Sequence, residues 1–422
     1  MKFYKKIIAI SIGIIGWVAC NMHSSQENTD TTRTTAKNPE TPKIRIDEEA
    51  TALACMFGAV QPIKKGNLDS IFQLPSVQKH YEEFNKNWQK LEESRLSKMR
   101  VWAKQELGKW ITEPYNLFYP FSGPDFLNAY ELFPNCDNYL LFGLEQLGEL
   151  PNFKKAKADY IDKYLHNIRD ALSEIFERNY FITSYMSGDL HVKYIRGVLP
   201  LISVFLARTN NQIVKIERFV LNPDGQPQYY PLEQTKEKKD IKGIHGISIE
   251  FLNQNKKKTQ KIYYIATDLE DKVMPQKQEV VKFIKSFDKK ITLIKSASYL
   301  LHGYNFSTIR NIILEDTKAV LQDDTGVPYS FYKEQNWKVQ LYGKYDRPIA
   351  DFKYGFQPDL NKRFQTDSTV KPLNFTFGYH WKTDKTSLLF CVAPAQPAVK
   401  KTENKNVKNS STIKPQNRKQ LQ

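Results

Sequence analysis

Apolar residues in the first half of the chain recur at the spacing of amphipathic helices. Between Tyr81 and Trp110, large apolar side chains appear every three or four positions among Glu and Lys residues, which predicts a helix with one buried face. A second stripe predicts a helix through Ile161, Leu165, Ile168, Leu172, Ile175 and Phe176. Asn152 is the predicted N-cap of this second helix. The very apolar stretch 197–207 predicts a buried helix that is too short to span a membrane.

The hydrophobic period changes after residue 210. Ile247, Ile249 and Phe251 alternate with polar residues, and 261–266 follows a polar turn, which predicts a hairpin with one buried face. Helical spacing returns at 279–287 and 307–315, and strand alternation returns at 337–341. A final strand is predicted from Leu373, Phe375, Phe377 and Tyr379. Together with 387–392 it is expected to form a closing hairpin.

This distribution predicts the fold class. Helices dominate before residue 210, whereas helices and antiparallel hairpins mix after it. Such a segregation is typical of an α+β fold and argues against a doubly wound α/β sheet. Residues 46–399 are long enough for one large domain or for two coupled domains with a boundary near 210.

The two ends of the chain differ from this body. Residues 1–6 contain three lysines and 7–18 contain no charge, a pattern typical of a secretory signal peptide and shorter than the roughly 20 apolar residues of a membrane span. Residues 20–45 are rich in Ser, Thr, Asn, Gln and Pro and predict a disordered tether. Residues 400–422, with an excess of basic side chains, predict a disordered tail.

The run Trp17-Val18-Ala19-Cys20 resembles the lipobox of bacterial lipoprotein precursors, in which a small residue precedes the cysteine that receives a diacylglyceryl group. Trp17 stands where the family usually has Leu. The resemblance implies that residues 1–19 are removed as a signal peptide and that Cys20 is lipidated. The chain is then expected to be a membrane partner through this anchor, at the bacterial cell envelope, with inner and outer membrane both open.

Charge and cysteine content exclude some classes of protein. Of the net charge of +16, residues 46–399 carry only +6, so no nucleic-acid partner is expected. Besides Cys20, the thiols of Cys55, Cys136 and Cys391 lie among apolar neighbours, which predicts buried cysteines. Their spacing to each other and to histidines matches no zinc site. No metal and no cofactor are therefore expected.

The loop 119–125 is the best candidate for a functional site. Two prolines and a glycine between aromatic residues fix its backbone, so that Ser122 and Asp125 are presented on a stiff segment. The alternative is structural: Ser122 caps a helix starting near Pro124, and Asp125 lies in the first turn of that helix. This run, together with the runs 321–328 and 337–345, resembles uncharacterised bacterial secreted proteins. That family has no known activity, so the resemblance implies no catalytic residue.

Templates of known catalysis are absent from the sequence. It contains no Gly-x-Ser-x-Gly elbow, Walker loop or His-Glu-x-x-His motif. Asp324-Thr325-Gly326 matches one loop of the aspartic proteases, which need two such loops; without a second copy it predicts a turn. His191 is a candidate general base in a predicted loop.

Two hypotheses of function follow. The first is a binding or scaffold protein of the cell envelope, with a glycan, peptide or protein as its ligand. The alternative is a hydrolase of the carboxylate-pair or Ser/His type that acts on an envelope or extracellular substrate. Acidic residues crowd one stretch of the chain at Glu113, Asp125, Glu131, Asp137, Glu145 and Glu149. Such carboxylates can serve a glycosidase only if two of them lie roughly 5–10 Å apart in the fold.

Overall fold

A single mixed sheet organises the molecule. The computed structural model describes residues 44–181, 195–231 and 242–395, apart from 254, 257 and 381. The strands are β1 (Asn116–Tyr119), β2 (Asn138–Gly143), β3 (Asn211–Leu221), β4 (Pro227–Pro231), β5 (His245–Asn253), β6 (Thr259–Ala266), β7 (Lys290–Ile294), β8 (Thr317–Gln322), β9 (Lys338–Gly343) and β10 (Ser387–Val392). Their order across the sheet is β4-β3-β5-β6-β2-β1-β7-β8-β10-β9.

The five central strands, β6, β2, β1, β7 and β8, are parallel to one another. Antiparallel strands flank them on both sides. The central strand β7 is buried along its whole length, as expected for a parallel strand covered on both faces. The predicted hairpin is confirmed as β5 and β6, in which Ile249 lies opposite Ile262.

Helices cover both faces of the sheet. They are α1 (Glu48–Phe57), α2 (Asp69–Phe72), α3 (Pro75–Leu91), α4 (Ser97–Glu106), α5 (Lys109–Thr112), α6 (Phe126–Leu132), α7 (Ala158–Glu177), α8 (Leu199–Arg208), α9 (Gln278–Lys285), α10 (Ser307–Asp316), α11 (Tyr329–Glu334) and α12 (Pro358–Thr366). One core lies between the sheet and α1, α3, α6, α7 and α8. A second core lies between the opposite face and α9 to α12. Among the described helices, none has both the length and the apolar character that a membrane crossing requires.

Most predicted helices are present with small shifts of their ends. The helix expected over 81–110 is interrupted by a π-helical turn, Glu92–Leu96, between α3 and α4. The predicted stripe lies on α7, whose buried side chains face the first core. Asn152 is not its cap: α7 starts at Ala158, and Asn152 instead precedes a short 3₁₀ turn without a side-chain capping bond.

The strand predicted from Leu373 to Tyr379 is wrong. Leu373, Phe375 and Phe377 are buried in the first core, so the alternation does reflect one buried face. The segment nevertheless forms no strand and makes one isolated bridge, from Phe377 to His380, because β10 already has β8 and β9 as neighbours on its two edges. No free edge of β10 remains for a closing hairpin.

The mixture of helices with hairpins confirms the predicted α+β class, although the parallel centre of the sheet was not predicted. The described residues from Arg45 onward form one compact unit. Strand β3 begins at Asn211 and continues the sheet that contains β1 and β2, so the sheet spans the suggested boundary near 210. Cys55, Cys136 and Cys391 are buried and free, as the sequence predicted for their burial.

Candidate functional site

A cavity of about 470 Å³ opens at the carboxyl ends of the parallel strands. Its wall comes mainly from the segments that follow β1, β2, β6 and β7. From β1 the chain crosses to β2 through α6 on one face of the sheet, whereas from β7 it crosses to β8 through α10 on the other face. The strand order therefore reverses between β1 and β7. In open sheets with parallel strands, ligands bind in the crevice at this switch point.

Asp125 and Lys295 form a buried ion pair on the wall of this cavity. Each side chain is only 2% exposed. The Lys295 ammonium also donates to the main-chain oxygen of Asn179 at 2.6 Å. Burial lowers the pKa of Lys295, and the neighbouring Asp125 carboxylate opposes this shift. Removing two charges from water is costly unless the geometry is good and further hydrogen bonds are made.

Further hydrogen bonds fix the Asp125 carboxylate. The hydroxyl of Tyr119 donates to it at 3.0 Å, and the side-chain amide of Asn128 donates at 2.8 Å. The main-chain N–H of Asn128 also donates to it, at 3.2 Å. Asp125 is thus the N-cap of α6, the role that the structural alternative had given to Ser122.

Ser122 instead fastens the loop after β1 to strand β2. Its hydroxyl donates to the main-chain oxygen of Phe142 at 3.1 Å and accepts from the N–H of the same residue at 3.0 Å. Gly123 next to it has φ of +51°, a conformation that favours glycine. Among the described residues, no histidine contacts the Ser122 hydroxyl. The hydroxyl is therefore engaged in positioning the loop and lacks a described base that would activate it.

The structure brings two of the predicted site residues to one place. Ser122 and Asp125 both line the cavity, whereas His191 and Cys20 lie outside the described residues. Sequence reasoning missed Lys295. A lysine directly after the apolar run of β7 was the available signal, because the residue following a buried parallel strand lies at the edge where ligands bind.

The turn after Lys295 has a strained backbone. Ser296, Ser298 and Tyr299 have φ values of +52°, +50° and +56°, in the left-handed region that costs non-glycine residues on the order of 1–3 kcal/mol each. Neighbouring segments hold this turn: the N–H of Ser296 donates to Asp323 at 2.9 Å, and the Ser298 and Tyr379 hydroxyls lie 2.7 Å apart. Strain of this kind concentrates at functional sites.

Asp323 and Asp324, which follow β8, hold the strained turn by hydrogen bonds. Both are buried, and Asp324 accepts hydrogen bonds from the hydroxyls of Tyr299 and Ser387. Burial and the neighbouring Asp324 raise the pKa of Asp323 to about 7, and burial raises that of Asp324 to about 6. The N–H of Gly326 bonds back to the Asp323 main-chain oxygen at 3.3 Å, which confirms the predicted turn.

The lining of the cavity combines aromatic walls with an excess of carboxylates. Phe121 and Phe306 pack edge to face, with ring centroids 5.6 Å apart. The acidic residues that line the cavity are Asp125, Glu145, Asp268 and Asp351, against Lys295 as the basic one. The lining thus carries negative formal charge although the whole chain is strongly basic. Groups that complement it are cations and hydroxyls.

Only part of the predicted acidic cluster reaches the cavity. Of its six members, Asp125 and Glu145 contribute to the lining. Glu145 accepts a hydrogen bond from the Tyr264 hydroxyl at 3.1 Å. It has room there because residue 143 is a glycine: a Cβ at Gly143 would lie 2.3 Å from the Glu145 carboxylate.

The mouth of the cavity is apolar. Leu144 is 66% exposed and Leu300 is 36% exposed, and both line the opening. Tyr354 is exposed and packs against Phe352, which is part of the wall. Large apolar side chains that remain in water around a pocket are typical of a ligand-binding surface.

Comparisons with known proteins add no identity to this geometry. Models of protein families, functionally curated proteins and solved structures gave no match to the chain. Within the described residues, no group of three or more His, Cys, Asp or Glu side chains is arranged to hold a metal ion. The resemblance to uncharacterised secreted proteins stays a prediction from the sequence.

Proposed function

We propose that this chain is a binding protein of the bacterial cell envelope and that its ligand occupies the cavity at the β1/β7 switch point. The observation that carries the proposal is the buried Asp125–Lys295 ion pair on the wall of that cavity. A pair of this kind is weak support for stability, since apolar residues of similar volume often replace it without loss. Charged groups held in fixed positions in a pocket with aromatic walls are what orient a ligand.

The dimensions and chemistry of the cavity support a small ligand or the end of a longer one. Its volume of about 470 Å³ lies within the range of small-molecule pockets. Aromatic walls favour a ring, and carboxylates favour hydroxyl or amino groups. We therefore propose the terminal sugar of a glycan or the amino end of a peptide as the ligand class.

The anchor proposed for the envelope is the lipid on Cys20. Its support is the sequence alone: the lipobox-like run that ends at Cys20 and the uncharged segment before it. In this arrangement the tether 20–45 carries the body away from the bilayer surface.

A thermal-shift screen with monosaccharides, disaccharides and dipeptides tests the proposal. A compound that binds the folded protein raises its melting temperature. Leu144→Trp narrows the mouth of the cavity and is expected to abolish the shift, whereas Val101→Trp is the matched control, since Val101 is also exposed but lies on α4 outside the lining. Equal shifts in both variants would mean that the compound binds elsewhere.

A hydrolase is the second candidate, favoured by the strained turn 296–299 and by the carboxylates of Glu145, Asp268 and Asp351 in the lining of the cavity. Hydrolysis of a panel of chromogenic glycosides and peptides by the wild type tests this candidate. Activity that Asp268→Asn abolishes, in a variant that still binds the product, would favour the enzyme over the binding protein.

A further inference from the structure

A second cavity lies beside the first and has the opposite charge. Its volume is about 400 Å³, and its basic lining residues are Arg347, Lys382 and Lys385 together with His380. Asp346 is the acidic residue of the lining, and it is paired with Lys344 at 3.1 Å. Among the described residues, Arg347, Lys382 and Lys385 have no ion-pair partner, so this lining keeps a net positive charge.

The two cavities share a wall. Ile349 lines both of them, and the neighbours Tyr379 and His380 line one cavity each. Asp351 faces the first cavity and Ala350 the second. A ligand in the first cavity therefore lies one segment of chain away from the basic side chains of the second.

His380 has an unused polar atom in this place. Its Nε2 atom is buried and has no hydrogen-bond partner among the described residues. The lining of the second cavity combines two lysines, an arginine and a histidine, whose side chains are donors of the kind that bind oxyanions.

We propose that the second cavity is a binding site for an oxyanion, a phosphate, sulfate or carboxylate group, held by Arg347, Lys382, Lys385 and His380. Arginine can contact two oxygens of such a group at once, while the lysines supply point charges. The proposal that this oxyanion belongs to the same ligand as the group in the first cavity rests on the proposed function. The proposal that the second cavity binds a free oxyanion does not depend on that function.

Calorimetric titration with inorganic phosphate, sulfate and acetate at constant ionic strength tests this site. We expect saturable binding of one ion per chain to the full-length protein, at least tenfold weaker in Lys382→Gln/Lys385→Gln. Lys338→Gln/Lys362→Gln removes the same charge from exposed positions outside the lining and is expected to bind like the wild type. The preferred ion shows whether the natural group is a phosphate, a sulfate or a carboxylate.

The His380 ring gives a second measurement. Burial lowers its pKa, Lys385 adds to this effect, and Asp323 and Asp346 oppose it. An oxyanion beside the ring should raise the pKa of His380, as read by NMR titration of the ring protons with and without phosphate. Absence of saturable binding, equal weakening in the control pair, or binding that leaves the His380 titration unchanged would each overturn the proposal. Leu144→Trp should leave phosphate binding intact, so a failure of the first cavity to bind sugars or peptides is a separate result.

Discussion

At the residue scale, Asp125 and Lys295 depend on each other. Asp125→Ala leaves the Lys295 ammonium buried without its partner and removes the cap of α6. Breaking a buried pair from one side costs about 3–5 kcal/mol of unfolding free energy, to be measured by urea denaturation. Asp359→Ala is the control, because Asp359 pairs with Lys333 in solvent at 3.3 Å and such pairs contribute at most about 1 kcal/mol. Equal midpoints and slopes for the two variants would contradict a buried pair.

The sequence identified Ser122 and Asp125 because two prolines and a glycine mark their loop as rigid. Their roles were harder to assign: both are polar residues near a helix start, and only the structure shows which of them caps α6. Lys295 had no comparable local mark. It meets Asp125 because β1 and β7 are neighbours in the sheet. The spacing of residues along the chain does not show that these two distant segments become neighbours.

At the element scale, Asp323 holds the strained turn 296–299 in place. Because the Asp323 carboxyl is buried, the stability of the fold also depends on pH. The folded pKa of Asp323, about 7, lies above its ordinary value of 3.8. Between these values the folded chain holds a proton that the unfolded chain has released, so the stabilisation that Asp323 contributes is complete below pH 4 and is lost as the pH rises to 7. The expected fall in unfolding free energy is on the order of 1–4 kcal/mol.

Urea denaturation at pH 4.5, 5.5, 6.5 and 7.5 measures this dependence. Asp323→Asn should reduce it, since the amide does not titrate and only the carboxyl of Asp324, whose pKa is also raised, is left at this place, while Asp359→Asn should retain the slope of the wild type. If the wild type gains stability between pH 4.5 and 6.5 and Asp323→Asn does the same, Asp323 is ionised in the folded chain throughout.

Elements with local signals were predictable, and those that depend on pairing partners were not. The β5–β6 hairpin was predictable because apolar and polar residues alternate beside a polar turn. The segment 373–379 shows the same alternation and is buried in the same way, but it lacks a strand edge to pair with. Short apolar strands such as β1 and β7 carry no alternation, because both of their faces are buried.

At the scale of the whole molecule, the lipid anchor proposed for Cys20 predicts that the cavity works close to a membrane. Cys20→Ser removes the thiol proposed to accept the diacylglyceryl group, so we expect loss of fatty-acid incorporation and release of the protein from membranes. Metabolic labelling with a radioactive fatty acid, followed by membrane fractionation, measures both effects. Cys55→Ser is the matched control, because its thiol is buried in α1. Equal labelling of wild type and Cys20→Ser would rule out this anchor.

Whether the cavity at the β1/β7 switch point binds the ligand is measured by the affinity of variants at its mouth. The compound with the largest thermal shift is titrated calorimetrically into the wild type, Leu144→Asp and Val101→Asp. Both leucine and valine are exposed and apolar, and only Leu144 lines the cavity. We expect an affinity at least tenfold lower for Leu144→Asp and an unchanged affinity for Val101→Asp. The same affinity in all three proteins would show that the ligand does not bind in this cavity.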